Sequence, residues 1–460
     1  MRMPRLVVRL SLLALAWAGV TTAHALDLLE TWERTRAHDP QMAVVQATRS
    51  SAEAFQTQAA SVWRPSVLGS ATAGVAWANT DTTGAQFSAP GFGQSNGVAF
   101  GTSIQQGTAT RWSLSAKQPL YNPQRNAQQA QLGKHAELAD LRADLAQQDL
   151  MLLTAQRYFD VSLAERKWAV LQKQYDAVQR AWTEAKDRYA LGDAPVTDTH
   201  EAAARASGLQ AQVLAAQSEL EMARVVLSES TGLPFSSLKV KTPGQEAFAE
   251  ATPDLTALLV QAQDHNIGLQ MKQAGLAMAQ QEVHKHRWSA SATLDAVAVA
   301  GRDRLSGQGD FGAATNTQSQ QMIGLSLNIP LYTGGWREGK LKESLSAQDQ
   351  ATAELDLLRT QVLQQTRMTW LALNSGQAQV TALTEGLAAS RARLDATRLG
   401  RQVGDRTTLE LLNAENDAAA AELSLLSAQT QVLLSRLKVD ALTGNLSVQS
   451  LQRTNTRLVD

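Results

Sequence analysis

The sequence predicts an α+β membrane protein built from two copies of one unit, each a β hairpin followed by a very long helix. One short junction occurs twice, as Gln-Pro-Leu-Tyr-Asn-Pro at 118–123 and as Ile-Pro-Leu-Tyr-Thr-Gly at 329–334. Before each junction the residues alternate with a period of two, and after it a helical pattern continues for nearly seventy residues. Because proline interrupts strand pairing and suits the first turn of a helix, each junction marks a change from strand to helix.

The two copies can be aligned along most of the chain. Pro119 and Pro330 are 211 residues apart, whereas Trp63 and Trp288 are 225 residues apart, so the first copy contains 14 additional residues between Trp63 and Pro119. We expect these to form a longer loop. The alignment predicts a first repeat at 26–232, a linker at 233–252, a second repeat at 253–444 and a polar C-terminal tail at 445–460.

Residues 1–25 have the features of a secretory signal peptide. Arginines precede an apolar core from Leu10 to Val20, which is too short to span a bilayer as a helix, and Ala23-His24-Ala25 forms a cleavage motif. The leader contains three arginines and no acidic residue, so the net charge of −1 becomes −4 after cleavage, which argues against nucleic-acid binding. The absence of cysteine excludes disulfides, thiolate metal sites and a cysteine-linked lipid anchor.

Two short helices, at 28–37 and 41–62, are expected before the first strand. The hairpins are expected at about 66–118 and 289–330, as four strands of ten to fourteen residues, with the polar stretches 80–102 and 301–319 as loops. Each strand alternates between an apolar and a small or polar residue. The apolar positions are Val67, Gly69, Ala71, Ala73, Val75 and Trp77; Trp112, Leu114 and Ala116; Ala290, Ala292, Leu294, Ala296 and Ala298; and Ile323, Leu325, Leu327 and Ile329.

This alternation favours membrane barrel strands over a soluble sheet, which would have a more strongly apolar face. Five aromatic residues at the same end of the hairpins support a membrane location, because such residues form a girdle at the lipid–water boundary. They are Trp63, Tyr121, Trp288, Tyr332 and Trp336. Four strands cannot close a membrane barrel, so several chains must share one: two chains would supply eight strands and three would supply twelve.

The helical stretches are unusually long. The first runs from Pro123 to Leu191, which corresponds to about 100 Å, and the second from about 336 to 403. Each ends at a Gly-Asp pair and is followed by a return helix, at about 195–231 and 406–443, and a further helix at about 254–287 leads to the third strand. An ordinary coiled coil, the alternative for such helices, would not explain the attached hairpins.

Taken together, these features resemble the TolC family of outer-membrane channel proteins, which serve type I protein secretion and drug efflux. The resemblance rests on both junctions, the duplicated order of elements and the sequence VGDRTTLELLNAEN at 403–416. It implies a homotrimer with a twelve-stranded barrel in the outer membrane and a twelve-helix tunnel in the periplasm. It also implies two partners, an inner-membrane transporter and a periplasmic adaptor (membrane fusion) protein. The adaptor would dock at the helical tips, Gly192, Asp193, Gly404 and Asp405.

The same resemblance implies a gate near the tips. Arg406 and Asp198 match a gating network, and Glu410 and Asn413 match two inward-facing acidic positions, so the neutral Asn413 leaves one acidic ring. Arg401 stands where an aromatic residue often occurs and is expected to add a salt bridge to Asp198, while Arg188 flanks the first turn. The alternative is that these charges belong to ordinary solvated helix ends.

Nothing in the sequence predicts catalysis, a cofactor or a metal site. His284 and His286 are two residues apart and would point to different faces of a helix. We therefore expect the outer-membrane exit channel of a tripartite export system, which passes proteins or small molecules. The alternative is a periplasmic scaffold or adaptor built of helical hairpins, which would lack strands bordered by an aromatic girdle.

Overall fold

The computed structural model describes residues 25–91, 93–193, 195–235, 238–244, 248, 252–310 and 312–459. Apart from residue 25, the expected signal peptide lies outside the described residues. The contacts divide the chain into two compact units. The first, called the tip unit below, contains the residues up to Val44 together with Ala146–Asn266 and the residues from Val362 onward. The second, called the sheet unit, contains Val45–Leu145 and Ile267–Gln361.

Both halves of the chain contain the same order of major elements: two helices, a hairpin, a long helix and a return helix. In the first half these are α1 (Leu28–His38), α2 (Pro40–Ser61), β1 (Ser66–Ala89), β2 (Gly93–Tyr121), α3 (Pro123–Ala190) and α4 (Val196–Thr231). After β3 (Thr242–Pro243), the second half contains α5 (Leu255–His265), α6 (Ile267–Arg287), β4 (Thr293–Gly309), β5 (Gly312–Asn328), α7 (Trp336–Gln402) and α8 (Thr408–Leu442). The chain closes with α9 (Val448–Asn455) and β6 (Leu458–Val459).

The sheet unit contains one antiparallel sheet with the strand order β1-β2-β4-β5. Its register aligns Val67, Ala116, Ala298 and Ile323 across all four strands, so the alternation predicted from the sequence is confirmed for this row. Directly opposed residues have side chains on the same face, and this face is apolar. Its side chains are open in the single chain, since Val67 is 65% exposed and Ile323 is 90% exposed.

The opposite face of the sheet is polar and contains ion pairs between β2 and β4. Lys117 contacts Asp295 at 2.8 Å, and Arg111 contacts Asp303 at 2.7 Å. The side chain of Asp295 is only 9% exposed. The two faces therefore differ as the faces of a membrane barrel differ, with charge on one side and apolar side chains on the other.

The predicted loops at 80–102 and 301–319 are wrong. β1 and β2 have 24 and 29 residues and pair to within a few residues of a turn near Gly91, while β4 and β5 have 17 residues each. The additional residues of the first copy lengthen its strands. Threonine-rich segments fit a pleated surface, and backbone pairing outweighs the turn tendency of the interspersed glycines. The pairing of β1 with β2 shifts register near Ala76, Thr82 and Ala85, as it does at β-bulges.

In the tip unit, α3 packs against α4 and α8 through one apolar cluster, whose members include Leu171, Val178, Leu209, Val213 and Leu412. A second cluster connects α5, α7 and α8 and includes Leu258, Leu373, Val380, Leu425 and Val432. Among the described helices, none combines the length and the hydropathy needed to cross a bilayer.

Two segments of this unit differ from expectation. The helix predicted at 254–287 is divided at Asn266, whose extended backbone ends α5 and whose side-chain amide donates to the Leu442 carbonyl over 3.0 Å. Residues 445–460, expected as a polar tail, contain α9 and β6, and β6 pairs with β3. Leu451 of α9 is fully buried, and the amide of Leu28 donates to the Asn455 side chain over 3.0 Å.

Candidate functional site

The two long helices end in the same hydrogen-bonded turn. The amide of Asp193 donates to the Arg188 carbonyl over 2.8 Å, and the amide of Asp405 donates to the Gly400 carbonyl over 2.9 Å. The residue before each aspartate is in the left-handed region, Gly192 with φ +81° and Gly404 with φ +82°. A residue with a Cβ is strained there, so the Gly-Asp pairs of the sequence mark the tips for a conformational reason.

The return helices begin differently. α4 begins after Pro195, which has no side chain able to cap the helix. α8 begins at a capping box: the Glu410 amide donates to the Thr407 hydroxyl over 3.2 Å, and the Thr407 amide donates to the Glu410 carboxylate over 2.8 Å. This reciprocal pair satisfies two helix N-terminal amides, so the second tip has the better anchored turn.

Arg401 joins three helices at the second tip. Its guanidinium donates to Glu184 of α3 over 2.6 Å and also donates to the Thr408 hydroxyl at the start of α8. The Arg401 side chain is only 9% exposed, although it lies in the last turn of α7. The sequence predicted a salt bridge between Arg401 and Asp198. Within one chain this prediction is wrong, because the Arg401 guanidinium binds Glu184 and Thr408 instead.

Arg406 and Glu410 form a local pair. The Arg406 guanidinium donates to the Glu410 carboxylate over 3.1 Å, and its Nε lies 3.9 Å from Asp405. The hydrogen bond from the Thr407 amide, followed by those from Arg406 and the Thr407 hydroxyl, lowers the pKa of Glu410. A groove between α7 and α8 is lined by Arg406, Glu410 and the exposed Asn413, so the two positions expected to face inward do share one surface.

Asp198 and Arg188 are not brought into this network. Asp198 lines a groove between the starts of α4 and α8, with Glu201, Thr407 and Thr408. Within the described part of the chain, neither Asp198 nor Arg188 has an ion-pair partner. Asp198 is half-buried and Arg188 is exposed. In a single chain Arg401, Arg406 and Glu410 therefore have charged partners, whereas Asp198 and Arg188 have none among the described residues.

Sequence reasoning missed a ladder of ion pairs between α7 and α8. Its members are Arg398 with Glu415 at 3.3 Å, Arg391 with Glu422 at 2.9 Å, and Arg393 with Asp417. A signal was present, since arginines repeat before the Gly404 turn and acidic residues repeat after it at similar distances. In an antiparallel helix pair, such residues face one another across the turn.

The aromatic residues of the predicted girdle all lie in the sheet unit. Tyr121 is 53% exposed, Trp288 51%, Tyr332 88% and Trp336 59%, whereas Trp63 is only partly exposed. Trp63 presents its carbonyl to the Gln118 side chain, which donates over 2.8 Å. Trp336 meets the ring of His286 edge to face, with centroids 6.2 Å apart. Large exposed aromatic rings at the base of an apolar sheet fit a lipid–water boundary.

Comparisons with known proteins agree with this architecture. The profile of the family described as outer membrane efflux protein matches residues 32–233 and 258–445. Outer membrane protein TolC of Escherichia coli K12 is 25% identical, covering 97% of this chain and 88% of its own length. Proteases secretion protein PrtF of Dickeya chrysanthemi is also 25% identical, and the match covers 94% of this chain and 91% of PrtF.

Solved structures show the same fold. The outer membrane protein VceC of Vibrio cholerae has a TM-score of 0.71 at 16% identity, covering 91% of this chain and 97% of its own. The CmeC outer membrane channel of Campylobacter jejuni also has a TM-score of 0.71, at 13% identity, and the match covers 99% of this chain and 98% of CmeC. The predicted location and function are confirmed: the protein is an outer-membrane exit channel for efflux or protein secretion, not an enzyme. The chain belongs to the outer membrane efflux protein family.

Proposed function

We propose that three copies of this chain share one twelve-stranded barrel in the outer membrane and that their helices enclose the periplasmic part of the export path. The open edges of the sheet carry this proposal. β1 and β5 are the outer strands, and neither has a second pairing strand among the described residues. In hydrocarbon, unpaired backbone groups each cost several kcal/mol, so neighbouring chains must pair with the two open edges of the four-stranded sheet. The resemblance to TolC selects three chains over two.

Exposed apolar side chains on the helices support the same assembly. Leu214 and Met222 of α4 are 58% and 64% exposed, and Met368 and Leu371 of α7 are 64% and 57% exposed. Isolated exposed apolar residues are common, but repeated ones along long helices indicate a surface that another chain covers. Because these side chains are already partly buried, covering each one between protomers would stabilise the trimer by about 1–2 kcal/mol.

The tip is proposed to be the gate of the channel. Arg401 holds α7 to α3 and to the start of α8, so opening by outward movement of α7 and α8 would break its contact with Glu184. In the trimer, Asp198 and Arg188 are available for contacts between protomers. Glu410 is proposed to contribute one acidic ring at the narrow part of the path, and Asn413 a neutral one.

A periplasmic adaptor and an inner-membrane transporter are the proposed partners. The adaptor would dock at the tips, where Gly192 and Gly404 expose tight turns and a groove opens between the starts of α4 and α8. The names of the relatives include both protease secretion and efflux, so proteins and small molecules are both proposed cargo classes. The full-length similarity to PrtF supports protein secretion in particular.

The assembly is tested by extracting the protein in a mild detergent and measuring its mass by light scattering, then its conductance in planar bilayers. A trimer that conducts ions is the expected result. A folded monomer in detergent would refute the shared barrel.

A further inference from the structure

The apolar face of the sheet carries two arginines, Arg302 and Arg304, in the part of β4 nearest the hairpin turn. The register places Arg302 in the row of Trp112 and Ser319, and it places Arg304 two residues further toward the turn, opposite Thr317. Because directly opposed residues share a face, both arginines lie on the same face as the apolar rows below them. These rows contain Leu294, Ala296, Ala298 and Ala300 on the same strand.

These two charges are uncompensated. Both side chains are exposed, and neither has an ion-pair partner within the described residues. The residues that share their rows are all uncharged, namely Ala71, Trp112 and Ser319 for Arg302, and Ala73, Thr110 and Thr317 for Arg304. The polar face differs, since its Arg111 is paired with Asp303 at 2.7 Å. An arginine is always ionised, so an anion from outside the chain is the natural partner for each.

The position of the arginines along the strand matches the boundary of a membrane. Tyr121 of the aromatic girdle pairs with Leu294, which marks the lower boundary. Arg302 and Arg304 lie eight and ten residues further along β4, or about 27 and 34 Å at about 3.4 Å per residue. With strands tilted by about 40°, these lengths correspond to heights of about 21 and 26 Å. The apolar band of such barrels is about 25 Å tall, so Arg304 lies at its opposite boundary and Arg302 about 4 Å below it, within reach of the headgroup layer for a long arginine side chain.

We propose that Arg302 and Arg304 bind the phosphate groups of lipids in the outer leaflet of the outer membrane. This rests on the proposed barrel, with its apolar face turned to lipid. Guanidinium groups bind phosphate oxygens through paired, charge-assisted hydrogen bonds, and the spacing of two residues on one face lets both side chains reach one headgroup region. Trp112 is 52% exposed in the row of Arg302, where an interfacial aromatic residue is expected.

The experiment measures binding of bisphosphorylated lipid A to the purified trimer by native mass spectrometry in a neutral detergent. The variant is Arg302→Gln with Arg304→Gln. Arg111→Gln is the control, because it removes one arginine from the opposite face at nearly the same height. We expect the double variant to bind lipid A at least about tenfold more weakly than the unaltered protein does. The control should bind lipid A as tightly as the unaltered protein. Lipid A stripped of both phosphates should bind the unaltered protein as weakly as intact lipid A binds the variant.

Two results would overturn this inference. One is equally tight binding of the phosphorylated and the stripped lipid by the unaltered protein, a test that needs no variant to fold. The other is an equal loss of binding in the Arg111→Gln control. Trimer mass and conductance in uncharged lipid are measured on the same samples. If both persist without selective lipid A binding, only the lipid site fails, whereas their loss in the unaltered protein would refute the proposed barrel.

Discussion

The guanidinium of Arg401 lies 2.6 Å from the carboxylate of Glu184, and this ion pair connects the last turn of α7 to α3 across 217 residues of sequence. Arg401 is 9% exposed and Glu184 is 54% exposed, so water screens the pair from one side. A half-exposed pair of this kind contributes about 1 kcal/mol. Three copies acting together in a trimer would change the ratio of closed to open channels by about a hundredfold.

Arg401→Ser and Glu184→Gln should therefore each raise the single-channel conductance or the open fraction in planar bilayers. High salt should partly reproduce the effect in the unaltered protein, because exposed charges are screened over about 10 Å at 0.1 M ionic strength. Arg398→Ser is the matched control: Arg398 pairs with Glu415 across the α7–α8 hairpin and leaves the contact with α3 intact. Equal effects of Arg398→Ser and Arg401→Ser would contradict the role given to Glu184.

The backbone amides at the start of α8 should exchange their hydrogens faster at low pH. The pKa of Glu410 is lowered by the Thr407 amide first, then by Arg406 and the Thr407 hydroxyl. A lowered folded-state pKa contributes stability that is fully present above the ordinary glutamate value of about 4.3 and is lost as the pH falls through the lowered value. Hydrogen exchange of residues 408–412, corrected for intrinsic rates, should accelerate below about pH 4 relative to higher pH.

Glu410→Gln provides the control for this pH dependence, because its amide cannot titrate. In that variant the corrected exchange of 408–412 should no longer change over the same pH range. The start of α4, which has no side-chain cap, provides a reference within the same molecule. An acid-dependent acceleration that survives in Glu410→Gln would show that another group controls the turn.

Gly404→Ala should loosen the second tip. Gly404 has φ +82°, where a residue with a Cβ costs about 1–2 kcal/mol, which corresponds to an increase in exchange of about tenfold for the Asp405 amide. Gly404→Asn should cost less, because asparagine tolerates this region better. Gly386→Ala, within α7 and with open space around its added Cβ, should leave the Asp405 amide unchanged. An effect of Gly386→Ala as large as that of Gly404→Ala would contradict this explanation.

Labelling of intact cells tests the orientation of the proposed barrel. The chain has no cysteine, so any labelling by a maleimide comes from the introduced cysteine. Ser95→Cys, which is exposed near the β1–β2 turn, should react with a membrane-impermeant maleimide. Asp193→Cys at the first tip should react only after the outer membrane is permeabilised. Equal labelling of both on intact cells would show that the turn and the tip are not on opposite sides of the membrane.

Much of this protein follows from short-range patterns in its sequence. The period of two that places Val67 on the apolar face and the proline that opens α3 at Pro123 depend on neighbouring residues alone. Gly192 and Gly404 mark the tips because φ preference is a property of single residues. Local sequence patterns are enough to predict these features, and they correctly predicted the family and the two faces of the sheet.

The pairing of charges at the tips was decided only by the tertiary structure. Arg401 contacts Glu184, and not the predicted Asp198, because packing in the apolar core sets the axial alignment of α3, α7 and α8. A shift of one helical turn, about 5.4 Å, would bring different side chains together. The lengths of β1 and β2 likewise depend on pairing between distant segments. Local chemistry determines which elements form, whereas contacts between distant segments determine which side chains meet.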